Sequence, residues 1–485
     1  MAEFIPSTKG KPKLLHEGHM YVQKTARPTK IYWKCVKETS YNCRGTATTD
    51  GLRNNLQIHG QHSHPPFENR VRLAVARNEM KEVARDTRDK PSQIYAQVLV
   101  NIDPDTRAIL PSEEACKQTI RRQRPCALVE PATLRELGDI PAQLQRTSLD
   151  GEFMFYDNGA NNPNRILIFG SNEAMMRLAA AQTMYVDGTF KIAPTAFAQV
   201  YVVRVPIGDN YITACYCLLP NKRRATYEEM FRAIADRCTQ LLNANNQLYI
   251  ANANNMPQQI ALNKTMSDFE ESAMTAIATV FGMAIERKGC FYHLTQSTWR
   301  HIVELGLRNH YDTNNDFRLY CGMLDGLAFL PPLDVQAGLQ QLRAIVEPRA
   351  IPLLEYFDAT YVNGHAGRAP LFPPEMWNQN QATLDGDPRT NNVCEGWNNR
   401  MGNLVGQDHP PIAKLVEWFK KDEAVVSTAI IQNDNGNPPK KRVNRESQQL
   451  QTRLRSICLD LNAGRKNIAE FLRAVGFNIR LYHRH

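Results

Sequence analysis

Three carboxylates in this chain stand in settings suited to metal chemistry. Asp187 lies in Met184-Tyr185-Val186-Asp187-Gly188-Thr189-Phe190, and Asp268 in Lys264-Thr265-Met266-Ser267-Asp268-Phe269-Glu270. Glu395 lies in Arg389-Thr390-Asn391-Asn392-Val393-Cys394-Glu395-Gly396-Trp397. The first two close apolar, β-prone runs; the third follows a polar turn and opens a helix. Hard divalent cations take carboxylate oxygens and keep several waters. Two such cations about 4 Å apart activate a water or a 3′-hydroxyl and stabilise the leaving oxygen of a phosphodiester. A single Asp at a strand end is commonly a cap or turn residue, and the specific context around all three argues against that reading. Gly188 would let a substrate backbone come close to Asp187.

A second constellation lies near the N-terminus. Cys35 and Cys43 are separated by seven residues, Cys43 and His62 by eighteen, and His62 and His64 by one. Two thiolates and two imidazoles satisfy the tetrahedral preference of Zn2+. The stretch is too short for a good apolar core, so a metal would supply folding energy outright. The spacing departs from the ordinary two-Cys, two-His finger, in which three to five residues part the histidines. A third group, Cys290 and His293, has C-x-x-H spacing; metal binding, DNA contact and plain packing are all open to it.

These residues need elements to position them. Residues 1–65 read as short strands, with Tyr32-Trp33-Lys34-Cys35 and Cys43 to Thr49 as β-prone runs. Three helices follow, over Val71 to Asp89, from Pro91-Ser92-Gln93-Ile94, and from Pro111-Ser112-Glu113-Glu114 to Arg121-Arg122-Gln123-Arg124. They fit either a helix-turn-helix-like DNA reader or a helical spacer. Residues 126–160 read as a linker. The next pattern is strands at Ile166 to Phe169, Met184 to Ile192, Ala198 to Pro206 and Tyr211 to Leu219, with Gly208-Asp209-Asn210 as a hairpin turn. A helix over Thr226 to Leu242, a strand over Pro257 to Ser267 and a helix over Glu270 to Phe281 complete a mixed α/β core. Residues 296–380 read as a helical insertion, Asn391 to Asn399 and Pro411 to Thr428 as further helices, and 431–485 as a basic tail.

Composition is consistent with a multidomain globular chain of 485 residues, 42% hydrophobic and 22% charged. The net charge of +9 is uneven: residues 1–70 carry +6, residues 440–485 carry +8, and the rest −5. Basic ends around an acidic middle suit a phosphate-binding head and tail, or two solvated faces. Eleven cysteines without a secretory signal point to a reducing compartment, and no apolar run reaches membrane-spanning length. Pro438-Pro439-Lys440-Lys441-Arg442-Val443 reads as a nuclear-import signal or a solvated cluster, Arg223-Arg224 as a phosphate-touching rim or an exposed turn, and Trp397 and Trp418 as core.

Phe4, Leu15, Tyr21, Tyr32-Trp33-Lys34-Cys35, Cys43-Arg44-Gly45 and His62-Ser63-His64 resemble a FLYWCH-type zinc finger over the first 65 or so residues. Lys34 stands where Arg is commoner. The resemblance implies Zn2+ on Cys35, Cys43, His62 and His64, and a sheet presented to the DNA major groove. Lys30, Lys34, Lys37 and Arg44 are then the candidate DNA contacts, with Arg121 and Arg122 beyond the finger. Residues 165–430 resemble the MULE (Mutator-like element) transposase domain, through the three carboxylate motifs, Gly289-Cys290-Phe291-Tyr292-His293-Leu294 and Trp377. That resemblance implies an RNase H-like fold, an Asp-Asp-Glu triad of Asp187, Asp268 and Glu395 on Mg2+ or Mn2+, a helical insertion before the Glu, and movement through terminal inverted repeats. Cys290 and His293 match its C-x-x-H element. The implied protein is a nuclear DNA transposase acting on double-stranded DNA as a homo-oligomer. The alternatives are a domesticated regulator that binds DNA without catalysis, and a nuclease that cuts without joining.

Overall fold

The computed structural model describes residues 3–6, 11–86, 89, 91–123, 137–249, 259–440 and 445–481. Arg124, Pro257 and the Lys441-Arg442-Val443 part of the basic cluster lie outside the described residues. The chain divides into two compact units, residues 1–129 and 130–485.

In the first unit, β1 (Glu3–Pro6), β2 (Pro12–His16), β3 (His19–Ala26), β4 (Lys30–Cys35), β5 (Thr46–Asp50) and β6 (Gln57–His59) form one antiparallel sheet in chain order. Side chains alternate across a strand. Ile31, Trp33 and Cys35 of β4 accordingly turn inward, and Lys30, Tyr32 and Lys34 turn to the other face. Leu14, Tyr21, Ile31, Trp33 and Ala47 make the small core, with Phe4 and Leu56 packed on it. Trp33 is buried, and its indole N–H donates to Thr49 Oγ1 at 3.1 Å, so the one polar atom of the ring is satisfied.

Four helices follow: α1 (Glu68–Asp86), α2 (Pro91–Val100), α3 (Pro104–Ala108) and α4 (Glu113–Gln123). Ala76, Met80, Ile94, Val98, Cys116 and Ile120 form their shared core. Residues 1–66 and the helices expected over 67–126 lie in one compact unit, in which the Phe67 N–H donates to the Gly18 carbonyl at 2.8 Å and α1 packs against β1 and β3. The short helix α3 was not foreseen; Asp103 caps it, accepting from the Thr106 N–H at 3.0 Å.

The second unit is built on a seven-stranded sheet of β7 (Met154–Asp157), β8 (Leu167–Phe169), β9 (Thr183–Thr189), β10 (Gln199–Ile207), β11 (Asn210–Leu219), β12 (Lys264–Ser267) and β13 (Glu286–Gly289). The spatial order is β13-β12-β9-β10-β11-β8-β7. The run β9-β10-β11 is antiparallel, whereas β12 runs parallel to both β9 and β13. Parallel neighbours need a crossover, and α6 (Arg224–Tyr249) and α7 (Glu271–Phe281) lie in the two connections.

Alternation along the strands sorts the sheet's two faces. Met184, Val186, Tyr201, Val203 and Val205 join a core with α5 (Asn172–Ala180), α6 and α7. Tyr185, Val200, Val202, Tyr216 and Met266 join a second core with Trp397 and Met401 of α15 (Asn392–Val405) and Phe419 of α16 (Ile412–Asp434). Between the sheet and α15 run α8 (Phe291–Glu304), α9 (Arg308–Thr313), α10 (Asn315–Gly326), α11 (Val335–Ile345), α12 (Ile351–Phe357), α13 (Pro374–Trp377) and α14 (Asn380–Asp385).

Two expectations are corrected. Residues 126–160 are not simply a linker, since β7 pairs with β8 at the sheet edge and Phe153 is fully buried. Residues 431–485 are not a tail: α17 (Arg445–Asn462) and α18 (Ile468–Gly476) bury Leu454, Ile457, Cys458, Phe471, Leu472 and Val475 in the helical core with Leu324 and Leu339. Arg445, Arg455 and Arg473 are exposed on these amphipathic helices.

Candidate metal centres

Cys35 ends β4, Cys43 follows the turn after it, and His62 and His64 come in the loop after β6. The meander folds these segments together. Cys35 Sγ lies 3.3 Å from His64 Nε2, and Cys43 Sγ lies 3.2 Å from His62 Nδ1. All four ligand atoms fall within 4.8 Å of one another. Bond lengths of 2.0–2.3 Å at tetrahedral angles put ligands about 3.5 Å apart, so the set fits a zinc ion with little adjustment. The imidazoles are held from behind: Tyr21 Oη meets His62 Nε2 at 2.8 Å, and the Pro65 carbonyl meets His64 Nδ1 at 2.8 Å. Burial, with His19 and His64 beside it, pushes His62 down to about 4, which keeps it neutral and ligand-ready. Gly45 is required here, because a Cβ would lie 2.5 Å from His62 Cε1. This is the arrangement of a structural Zn2+ site.

The acidic site is built on two parallel strands. Tyr185 of β9 pairs with Met266 of β12. Two residues further along, Asp187 lies on β9 and is tied to α15, while Asp268 lies one residue past the end of β12. Asp187 is buried; its Oδ1 accepts from the Gly188 N–H at 3.0 Å and its Oδ2 from Asn398 Nδ2 of α15 at 2.8 Å. Glu395 sits in the first turn of the same helix. Asn391 fixes that helix to the strand by donating from Nδ2 to the Val186 carbonyl at 2.7 Å.

The electrostatics report the crowding. Burial and the charges of Asp268 and Glu395 push Asp187 up to about 7. Burial and Glu270 push Asp268 up to about 6. Burial also raises Glu395, opposed by His293. Buried carboxylates with raised pKa values and too few positive partners are a cation's natural ligands. The three are not gathered into one tight cage. Among the described residues, the second group of ligand atoms mutually within 4.8 Å is Cys290, His293 and Glu395.

Lys222 and Asp422, which no sequence motif marks, help position the site, and Gly188 has a further part in it. Lys222, 46% exposed at its side chain, pairs with Glu270 at 3.2 Å and lies over the Phe190 ring at 4.3 Å, and its charge lowers both Asp187 and Asp268. Buried Asp422 of α16 accepts from Trp397 Nε1 at 2.7 Å and Tyr216 Oη at 2.8 Å, and pairs with Arg400. Gly188 does more than admit a substrate, since a Cβ there would lie 2.4 Å from Gln199 Oε1. Arg223 is exposed, and Arg224 is committed to Glu228 at 2.7 Å in the first turn of α6.

Residues 4–64 match the model of the FLYWCH zinc finger domain. The chain begins with a FLYWCH zinc finger. The FLYWCH-type zinc finger-containing protein 1 of Mus musculus is 38% identical over 64 residues, which is 13% of this chain and 9% of that protein. The protein of the same name from Homo sapiens is 34% identical over 82 residues, 17% of this chain and 11% of that one. The chain thus spans only about a tenth of the length of the relatives it matches.

On the FLYWCH finger, Lys30 and Arg44 are exposed. Lys30 and Arg27 lie over the Tyr32 ring at 5.8 and 5.9 Å, a basic and aromatic patch on the outer sheet face. Lys34 shares that face but is paired with Glu38. Lys37 is turned toward Tyr41 and Phe67, at 5.1 and 5.5 Å from their rings. Beyond the finger, Arg121 and Arg122 are exposed on α4, with Arg121 bonded to Glu114 at 2.6 Å. The ten described cysteines are free and buried, and no described helix is long and apolar enough to cross a membrane.

Proposed function

We propose that this chain is a DNA transposase of the Mutator-like type, with an RNase H-like catalytic unit and a FLYWCH finger that binds the element ends in the nucleus. The observation that carries the reading is that β9 and β12 are adjacent parallel strands, which brings Asp187 on β9 near enough to Asp268, just past the end of β12, and to Glu395 on the facing helix for both charges to raise it. The sheet order supports it: three antiparallel strands in chain order, then two parallel ones added beside the first, is the order an RNase H-like core requires.

Asp187 and Asp268 would share Mg2+ or Mn2+, and Glu395 would complete a second position. Bound there, the ions supply an activated oxygen nucleophile and neutralise charge on the phosphodiester. The protein's own part is positional. Asn398 and the Gly188 N–H hold the Asp187 carboxylate, Asn391 seats α15, and Lys222 stands at the rim where a phosphate would arrive. Lys30, Arg44 and Arg27 on the finger would contact phosphates, so binding should weaken steeply with salt.

Strand joining separates this reading from a simple nuclease. Oligonucleotides with a free 3′-hydroxyl and any inverted repeat found beside the gene should be inserted into plasmid DNA in Mn2+. Nicking without insertion would favour the nuclease, and sequence-specific binding without either would favour a regulator that kept the fold and lost the chemistry.

A further inference from the structure

The group of Cys290, His293 and Glu395 is explained neither by the finger nor fully by the acidic site. Cys290 is the N-cap of α8, and His293 lies one turn into that helix. Glu395 comes from α15, more than a hundred residues later. Their ligand atoms all lie within 4.8 Å of one another.

Each of the three has spare ligating capacity. Cys290 Sγ is buried and accepts the Asn391 N–H at 3.1 Å, and it also receives the backbone N–H groups of Tyr292 and His293. His293 Nδ1 and Glu395 Oε1 are buried atoms with no hydrogen-bond partner. His293 Nε2 is 3.8 Å from Glu395 Oε1, beyond hydrogen-bond reach. Two buried polar atoms without a partner call for an explanation. A cation held by one atom from each of the three residues supplies one.

We propose that Cys290, His293 and Glu395 form a second zinc-class metal site, joining the N-terminus of α8 to the first turn of α15. The soft thiolate and the imidazole select a borderline transition metal over Mg2+. On binding, the Cys290 thiol releases its proton to solvent. The thiolate and carboxylate then balance the 2+ charge, and a water fills the fourth position of the tetrahedron. Glu395 is shared with the acidic site proposed above, so the test varies Cys290 and His293, which that reading does not use, and reads zinc content rather than strand cleavage.

The test is the zinc content of the purified full chain after dialysis against a weak chelator. Two zinc ions per chain are expected, falling to one in Cys290→Ser and in His293→Asn while the far-ultraviolet dichroism is unchanged. His293→Asn changes a partly exposed side chain and so guards against misfolding of the buried cysteine variant. Cobalt(II) loading of the wild type reads the site without any variant, as a second spectral class with one sulfur ligand beside the two-sulfur finger. One zinc per chain in the wild type, a single cobalt class, or a second zinc that persists in both folded variants would overturn the proposal.

Discussion

Asp187 carries an electrostatic cost in the folded state. Its pKa of about 7 is far above the ordinary 3.8, so the folded state keeps a proton that the unfolded chain has already lost. The stability tied to that proton is complete below about pH 4 and is lost as pH rises through about 7. Asp187→Asn is uncharged at every pH. In metal-free buffer it should be more stable than the wild type at about pH 8, by about 2 kcal/mol once the weakened Asn398 contact is allowed for, and the gap should shrink toward about pH 5. Thermal melts across pH check this; equal differences at both ends would contradict it. Magnesium should stabilise the wild type and leave the variant unmoved. At this scale much was legible. The sequence gives residue types and spacing, so Cys35, Cys43, His62 and His64 could be grouped before any coordinates. Lys222 and Asp422 could not, because their partners Glu270, Trp397 and Tyr216 lie far along the chain.

At the scale of elements, α15 decides whether Glu395 faces the strand ends, and Asp422 of α16 holds α15. Trp397, Arg400, Tyr216 and Thr213 all converge on that one buried carboxylate. Removing it leaves several buried donors unanswered, each costing about 1–3 kcal/mol. Asp422→Ala should therefore destabilise the second unit by about 3–5 kcal/mol in a denaturant titration. A change under about 1 kcal/mol would show that α15 is seated by apolar packing alone. The strands were unevenly legible. The β10 and β11 hairpin announces itself by long apolar, β-branched runs around a Gly-Asp turn. The edge strand β13 reads Glu-Arg-Lys-Gly and gives no such signal, because an edge strand is commonly protected by charge. The Pro257 to Ser267 run proved shorter, with β12 only Lys264–Ser267.

For the whole second unit, the final helices matter more than their basic composition suggests. Six side chains of α17 and α18 are buried in the helical core, and Arg480 beyond them pairs with fully buried Asp325 at 2.5 Å. Burying six such side chains is worth about 10 kcal/mol. A chain ending at residue 440 should lose cooperative folding of residues 291–385, seen as fast amide exchange there, while the finger keeps its zinc. Unchanged protection would contradict the packing described. Net charge hid this because +8 over residues 440–485 reads as a tail unless the helical spacing of Leu454, Ile457 and Cys458 is weighed as well. Contacts such as that of Phe67 with Gly18 are likewise invisible in composition.

The central claim is that Asp187, Asp268 and Glu395 act together on a phosphodiester. The most direct measurement is Mg2+- or Mn2+-dependent cleavage of DNA carrying any inverted repeat found beside the gene, with the wild type beside Asp187→Asn. Cleavage by the wild type, lost in a variant that binds the same DNA with equal affinity, is the predicted result. Tight, specific binding with no cleavage by the wild type under either metal would contradict it.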